Sequence, residues 1–429
     1  MGATLSNQEA VLKYVFPRMM VHWLPERVRL LKSFRKMQKE VWEGRDYLEW
    51  PAHLGRSEAF GAGEEGGPIA EAQHEETVKF QVPIRRLWGR IGITGPAIKD
   101  SRTNRGSFKR LLAFQQESMR NNALQRVNRM IWHDGRGVMA LVDGAGSDTT
   151  TLTVDAPGGV ANDNNGARFL QRNMVVAILD STGASWLATR KITAVAAAGT
   201  SVTLNAAVSS TQAPDNGLVV WAPNLSVTTV GHTAYNKEPM GMLGMIDDGT
   251  YQNTYFGVNR TTYDSAQAAV FSATGALSVD ALQQGFDAAD QRGDGMIDEL
   301  WCHHSVRRAY LAILVANRRY VSSGGTNKHD AGFAGAGLEV DPEFNGKPVK
   351  VDKDAPYETL FGLDTRGCLN FTNTEFEWID DDGHILHRTR GVDAFEATCR
   401  YFVNFGHERP IQCFRRDGVT ANLVVIHVR

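Results

Sequence analysis

Few of the 429 residues carry reactive side chains at spacings that could do chemistry. His303 and His304 are adjacent, and His384 and His387 lie three apart. A metal needs ligands that converge from one side. Both stretches read as strands, where such neighbours diverge to opposite faces, so neither predicts a metal site. Asp380, Asp381 and Asp382 cluster before Gly383, which is the composition of a hairpin turn. The stretch around QRGDGMIDEL resembles a calcium loop only until its positions are counted. With Asp290 first and Asp294 fifth, Arg292 and Trp301 fall where oxygen ligands are required. Gly61, Gly63 and Gly66 form a GxGxxG run, but no buried strand precedes it and no helix follows. Glu64 and Glu65 inside it would repel a phosphate. No P-loop, nucleophile elbow or zincin signature occurs. Cys302, Cys368, Cys399 and Cys413 form no CxxC pair and read as buried free thiols. The expectation is no enzyme: no catalytic residue, no cofactor and no metal.

Charge is the stronger signal. Glu58, Glu64, Glu65, Glu71, Glu75 and Glu76 fall between Ser57 and Val78, with no Lys or Arg among them. The next stretch is basic, with Arg85, Arg86, Arg90, Arg102, Arg105, Lys109 and Arg110 leading a run to Arg136 that only Asp100, Glu117 and Asp134 oppose. An acidic loop beside a basic strand and helix predicts complementary contact between copies of the chain. Such contacts set register more than energy. The other reading is two separately solvated faces.

Composition limits the classes. Hydrophobic residues at 42% and charged residues at 22% exclude disorder as the dominant state. A formal net charge of -2 excludes a protein that coats nucleic acid by bulk charge. No apolar run is long enough for a membrane span, and no secretory leader is legible, so no membrane partner is expected.

The elements that must position these residues follow from periodicity. Residues 1–45 read as a basic helical arm broken at Pro17 and Pro25. Residues 46–99 read as a long β-hairpin with a glycine-rich tip, FGAGEEGGPIAEAQ; Pro83 confines its return limb to an edge or a ribbon. A two-stranded ribbon is marginal alone and needs something to lie against. Residues 100–142 hold one long helix stopped by Gly135 and Gly137. Residues 143–222 are short strands with turn residues between them, predicting an inserted all-β barrel or sandwich. Residues 223–370 alternate helix and strand, including a helix capped by Ser278 and ended at Gly293. Residues 371–405 read as a hairpin, EFEWI–DDDG–HILHRT, then a long strand, AFEATCRYFVNF; residues 406–429 close the chain. The class is α+β.

This order of elements resembles the tailed-bacteriophage major capsid proteins, which have the Hong Kong 97-like capsid fold shared with encapsulins. EEGGPIAEAQHEETVKFQVPIRRLWGRIGIT, the helix SFKRLLAFQQESMRNNALQRVNRMIW and GVDAFEATCRYFVNFGHERP carry the resemblance. It implies an N-terminal arm at 1–45, an extended loop at 46–99 and a peripheral domain with a spine helix at 100–142. It further implies an insertion domain at 143–222, an axial domain at 223–370, peripheral long strands at 371–405 and a last axial segment at 406–429. The implied function is self-assembly as hexamers and pentamers into an icosahedral virion capsid, built in the host bacterial cytoplasm around double-stranded DNA held by non-specific contact. The implied partners are other copies, a separate scaffolding protein, a portal and a decoration protein. The alternatives are an encapsulin-type compartment subunit or, from another class, a β-rich glycan-binding or hydrolytic protein.

Overall fold

Proline and glycine set the breaks in this chain, and the sheets form between them. The computed structural model describes residues 28–36, 47–55, 57, 59–67, 71–95, 105–161, 165–272, 274–316, 342–380, 385–389 and 391–420. Tyr47–Gly55 pairs antiparallel with Glu76–Pro83 as a two-stranded ribbon. Pro83, with no N–H to donate, ends that ladder. Only Ile84 separates it from Arg85–Thr94, which joins another sheet by pairing with Ala394–His407. The ribbon therefore stops at Pro83, not at 99. Its base is covered by its own chain: Leu48, Phe80 and Val82 are buried in the main core.

Ala394–His407 is the central strand of the long sheet. Its 14 residues pair with Arg85–Thr94 along one edge and with Cys368–Trp378 along the other. This corrects the predicted hairpin between EFEWI and HILHRT. His387–Arg388 pairs instead with Phe395 and Glu396. The physical reason is burial: Ala397, Cys399, Tyr401 and Val403 give the long strand a continuous covered face that the shorter segment lacks. Three residues of the intervening turn, Asp381, Asp382 and Gly383, lie outside the described residues.

Arg105–Trp132 is a helix of 28 residues, about 42 Å long. Its last turns enter the core through Val127, Ile131 and Trp132. The Trp132 ring lies 5.7 Å from Trp301 and 5.8 Å from Phe361. Gly135 and Gly137 follow at φ +83° and +78°. At Gly137 a Cβ would stand 2.6 Å from the Ala234 carbonyl oxygen, so turn and packing both require glycine.

Val138–Val142, Thr149–Asp155, Val175–Leu179, Trp186–Val195, Ser201–Val208 and Leu218–Trp221 close into a barrel. Leu152, Val154, Ile178, Ile192, Leu204 and Val219 fill it. Its first strand precedes residue 143, and first and last strands pair with each other, Leu218 opposite Leu141. The chain thus enters and leaves at adjacent strands.

The remaining body is a six-stranded mixed sheet flanked by Val279–Gly293 and His304–Ala316. Ser278 caps the first helix by accepting the Ala281 N–H at 3.0 Å. The strand Glu299–Cys302 ends before the two histidines; His304 opens the second helix. His303 Nδ1 accepts the Ser305 N–H at 3.2 Å, so this side chain works as a helix cap. Burial, then the nearby Arg168, pushes its pKa down to about 2. Within the predicted arm, Val28, Leu30, Leu31 and Phe34 are core residues. Ser33 Oγ donates to Glu299 at 2.8 Å, fastening this segment to the body.

Candidate assembly surface

The ribbon presents its tip to solvent. Phe60 is 99% exposed, and the six residues after it are exposed as well. The base is held by three different kinds of contact. Gln81 N–H donates to the Phe256 carbonyl at 2.7 Å, and the Phe80 ring packs edge-on to Tyr255 at 5.7 Å. Tyr263 OH donates to Glu76 at 2.5 Å. Phe256 itself sits at φ +47°, a conformation costly for a bulky side chain. The joint below the ribbon is pinned by buried Asn404. Its Nδ2 donates to the Pro83 carbonyl at 2.7 Å, and its Oδ1 accepts the Met240 and Phe405 N–H groups at 2.8 and 2.9 Å.

The acidic residues divide. Glu64, Glu65 and Glu71 stand exposed towards the tip. Glu75 lies 3.1 Å from His53, and Glu76 is engaged by Tyr263. Glu58 lies outside the described residues. The basic residues divide as well. Arg86 and Arg90 lie on the open face of the sheet; Arg85 turns to the half-buried side, where desolvation lowers its pKa. Arg90 pairs with Glu396 on the neighbouring strand, and Arg400 Nε donates to Glu377 at 2.7 Å. Arg102 lies outside the described residues. Arg105, Lys109 and Arg110 fall on the first turns of the long helix, where only the backbone is described. Among the described residues, Glu75 and Glu76 are engaged by His53 and Tyr263, and Arg90 by Glu396.

Two aromatic residues on this surface escape charge-based reading. Trp88 is 58% exposed on the open sheet face, edge-on to Phe402 at 5.3 Å. Phe60 heads the glycine-rich tip. A large apolar side chain among Gly and Glu is the signal that could have flagged it.

All four cysteines are buried and free. Among the described residues, no group of three or more His, Cys, Asp or Glu gathers as a metal site would require. No helix among them is long and apolar enough to cross a membrane.

No family model matches the sequence, and no curated protein does. Among solved structures, the chain is similar to the Cyanophage A-1(L) capsid asymmetric unit. The TM-score is 0.50 at 10% identity, over 92% of this chain and 93% of that one. The chain has a phage major-capsid fold. The capsid of an empty GTA particle matches at TM-score 0.43 and 9% identity, over 92% of this chain and 96% of that one. An encapsulin complex from Synechococcus elongatus matches at TM-score 0.25 and 9% identity, over 36% of this chain and 56% of that one. Among the described residues, the ribbon tip and the open face of the long sheet carry the large aromatic side chains most exposed to solvent, Phe60 and Trp88.

Proposed function

We propose that the chain is the repeating subunit of an icosahedral shell, the major capsid protein of a tailed double-stranded DNA bacteriophage. The observation that carries this reading is the capsid fold extending over 92% of the chain. The ribbon tip supports it: glycine-rich chain with an exposed Phe60 gains burial only against another subunit. Residues 46–83 would lie over a neighbour, the long helix would be the peripheral spine, and the barrel would stand on the outer surface as an insertion domain. Hexamers and pentamers would close the shell with a scaffolding protein and a portal, and a decoration protein would dock outside. The packaged DNA would be held without sequence preference, and the subunit would catalyse nothing.

Deleting residues 61–72 tests the central step. The expected product is a folded, soluble subunit that forms no closed shells. Normal shells from that deletion would refute the role given to the tip. Nuclease-protected double-stranded DNA inside native particles is expected; protein cargo in its place would favour a compartment of the encapsulin type.

A further inference from the structure

The barrel is attached to the rest of the chain at a third place, away from the two adjacent strands through which the chain enters and leaves it. Arg168, on the turn Gly166–Phe169, is buried. Its guanidinium donates to the Lys353 carbonyl and, at 3.0 Å, to the Ala355 carbonyl. It also lies 4.1 Å over the Tyr357 ring. Beside it, Asn165 Nδ2 donates to Tyr357 OH at 2.9 Å. The long helix reaches the same loop from its other side. Asn128 Nδ2 donates to Asp352 Oδ1 at 2.9 Å and to Asp354 Oδ2 at 2.6 Å.

The acceptors alternate along four consecutive residues. Asp352 and Asp354 serve the helix; Lys353 and Ala355 serve the barrel. Asn128, Arg168, Asp352 and Asp354 are all buried. A peptide segment this short cannot yield to one donor without displacing the acceptors of the other. The barrel also touches the end of the helix directly, with Phe169 edge-on to His133 at 4.9 Å and Trp221 under Arg126 at 5.0 Å; the loop adds a further attachment away from the two strand connections.

We infer that the loop Asp352–Tyr357 is a coupling joint through which the barrel and the long helix hold each other's position, so that a load on the barrel is felt at the helix. The inference concerns one folded subunit and stands whether or not the subunit builds shells. Coupling of this kind is reciprocal. It also requires a demonstrated response at the distant side, since intermediacy alone does not establish it.

Hydrogen exchange on the full-length, unassembled chain provides that test. Arg168→Met removes the two bonds to the Lys353 and Ala355 carbonyls, leaving Asn165 in place and an apolar stem over Tyr357. Exchange should rise about ten-fold or more, the ratio that loss of one buried charged hydrogen bond can produce. The rise is expected at 165–170 and also at helix amides 124–132. Asn128→Ala should do the reverse, raising exchange in the barrel turn as well as in the helix. If either variant fails to fold, Tyr357→Phe, which deletes only the acceptor of Asn165, is read in the same two places. A rise confined to the element that carries the substitution overturns the joint.

Discussion

Phe60→Ser separates folding from association. The ring is 99% exposed in one subunit, so its removal takes nothing from the core. Stability should change by no more than about 0.5 kcal/mol, a shift in Tm of at most about 2 °C for a chain of this size. Association should respond differently. Burying a Phe side chain contributes about 1.5–3 kcal/mol, which is roughly ten- to one-hundred-and-fifty-fold in the dissociation constant of the contact it joins. Each subunit carries one tip, so the loss counts once per subunit added. The assay is the critical concentration for assembly, read as the subunit left in the supernatant after sedimentation, beside a melting curve of the unassembled chain. The expected result is an unchanged melt with a critical concentration raised about ten-fold or more. An unchanged critical concentration would refute docking of the tip. Phe80→Ala is the matched control: that ring is 1% exposed against Tyr255, and its loss should lower stability by about 3–5 kcal/mol.

Three further substitutions probe the interior. Glu238→Ala would strand the Arg129 guanidinium, since both side chains of this ion pair are only 4% exposed; a loss of about 3–5 kcal/mol is expected in urea unfolding, and a loss under about 1 kcal/mol would contradict the pairing. Asp352→Asn keeps an oxygen for Asn128 and for the Asp354 N–H while removing a charge that burial disfavours. Burial, with Asp354 beside it, raises the Asp352 pKa above its unfolded value, so the folded state holds the extra proton and stability falls as pH rises through the raised pKa. The variant should therefore be more stable than the parent at pH 7 and equal to it below about pH 4; lower stability at pH 7 would reverse the sign. Asn404→Ala leaves three backbone groups at the base of the ribbon without their partner and should cost at least about 2 kcal/mol in the same urea assay.

Local features were legible because their causes are local. Pro83 ends a ladder, Gly135 and Gly137 turn the chain at positive φ after the long helix, and Ser278 caps the helix that follows it. The α+β class follows from period-two and period-3.6 patterns that need no tertiary information. Features that depend on distant partners were not legible. Arg90 reads as part of a basic run, yet its partner Glu396 is 306 positions away. Segment charge therefore overstates what that strand offers to a neighbour. A similar distance hid the switch of Arg85–Thr94 into the long sheet, and a skipped segment hid the true partner of Cys368–Trp378. Residues 28–36 read as an arm because their hydrophobic spacing is irregular; their burial is set by Phe405 and Glu299, far along the chain. The joint at 352–357 has no sequence signature, since VKVDKD reads as a short strand.

Sedimentation velocity of the purified chain, with electron microscopy of the fastest fraction, tests the shell reading most directly. The account predicts closed hollow particles, or rings of subunits on the way to them. A stable monomer or dimer at high concentration, even with a scaffolding protein co-expressed, would contradict it.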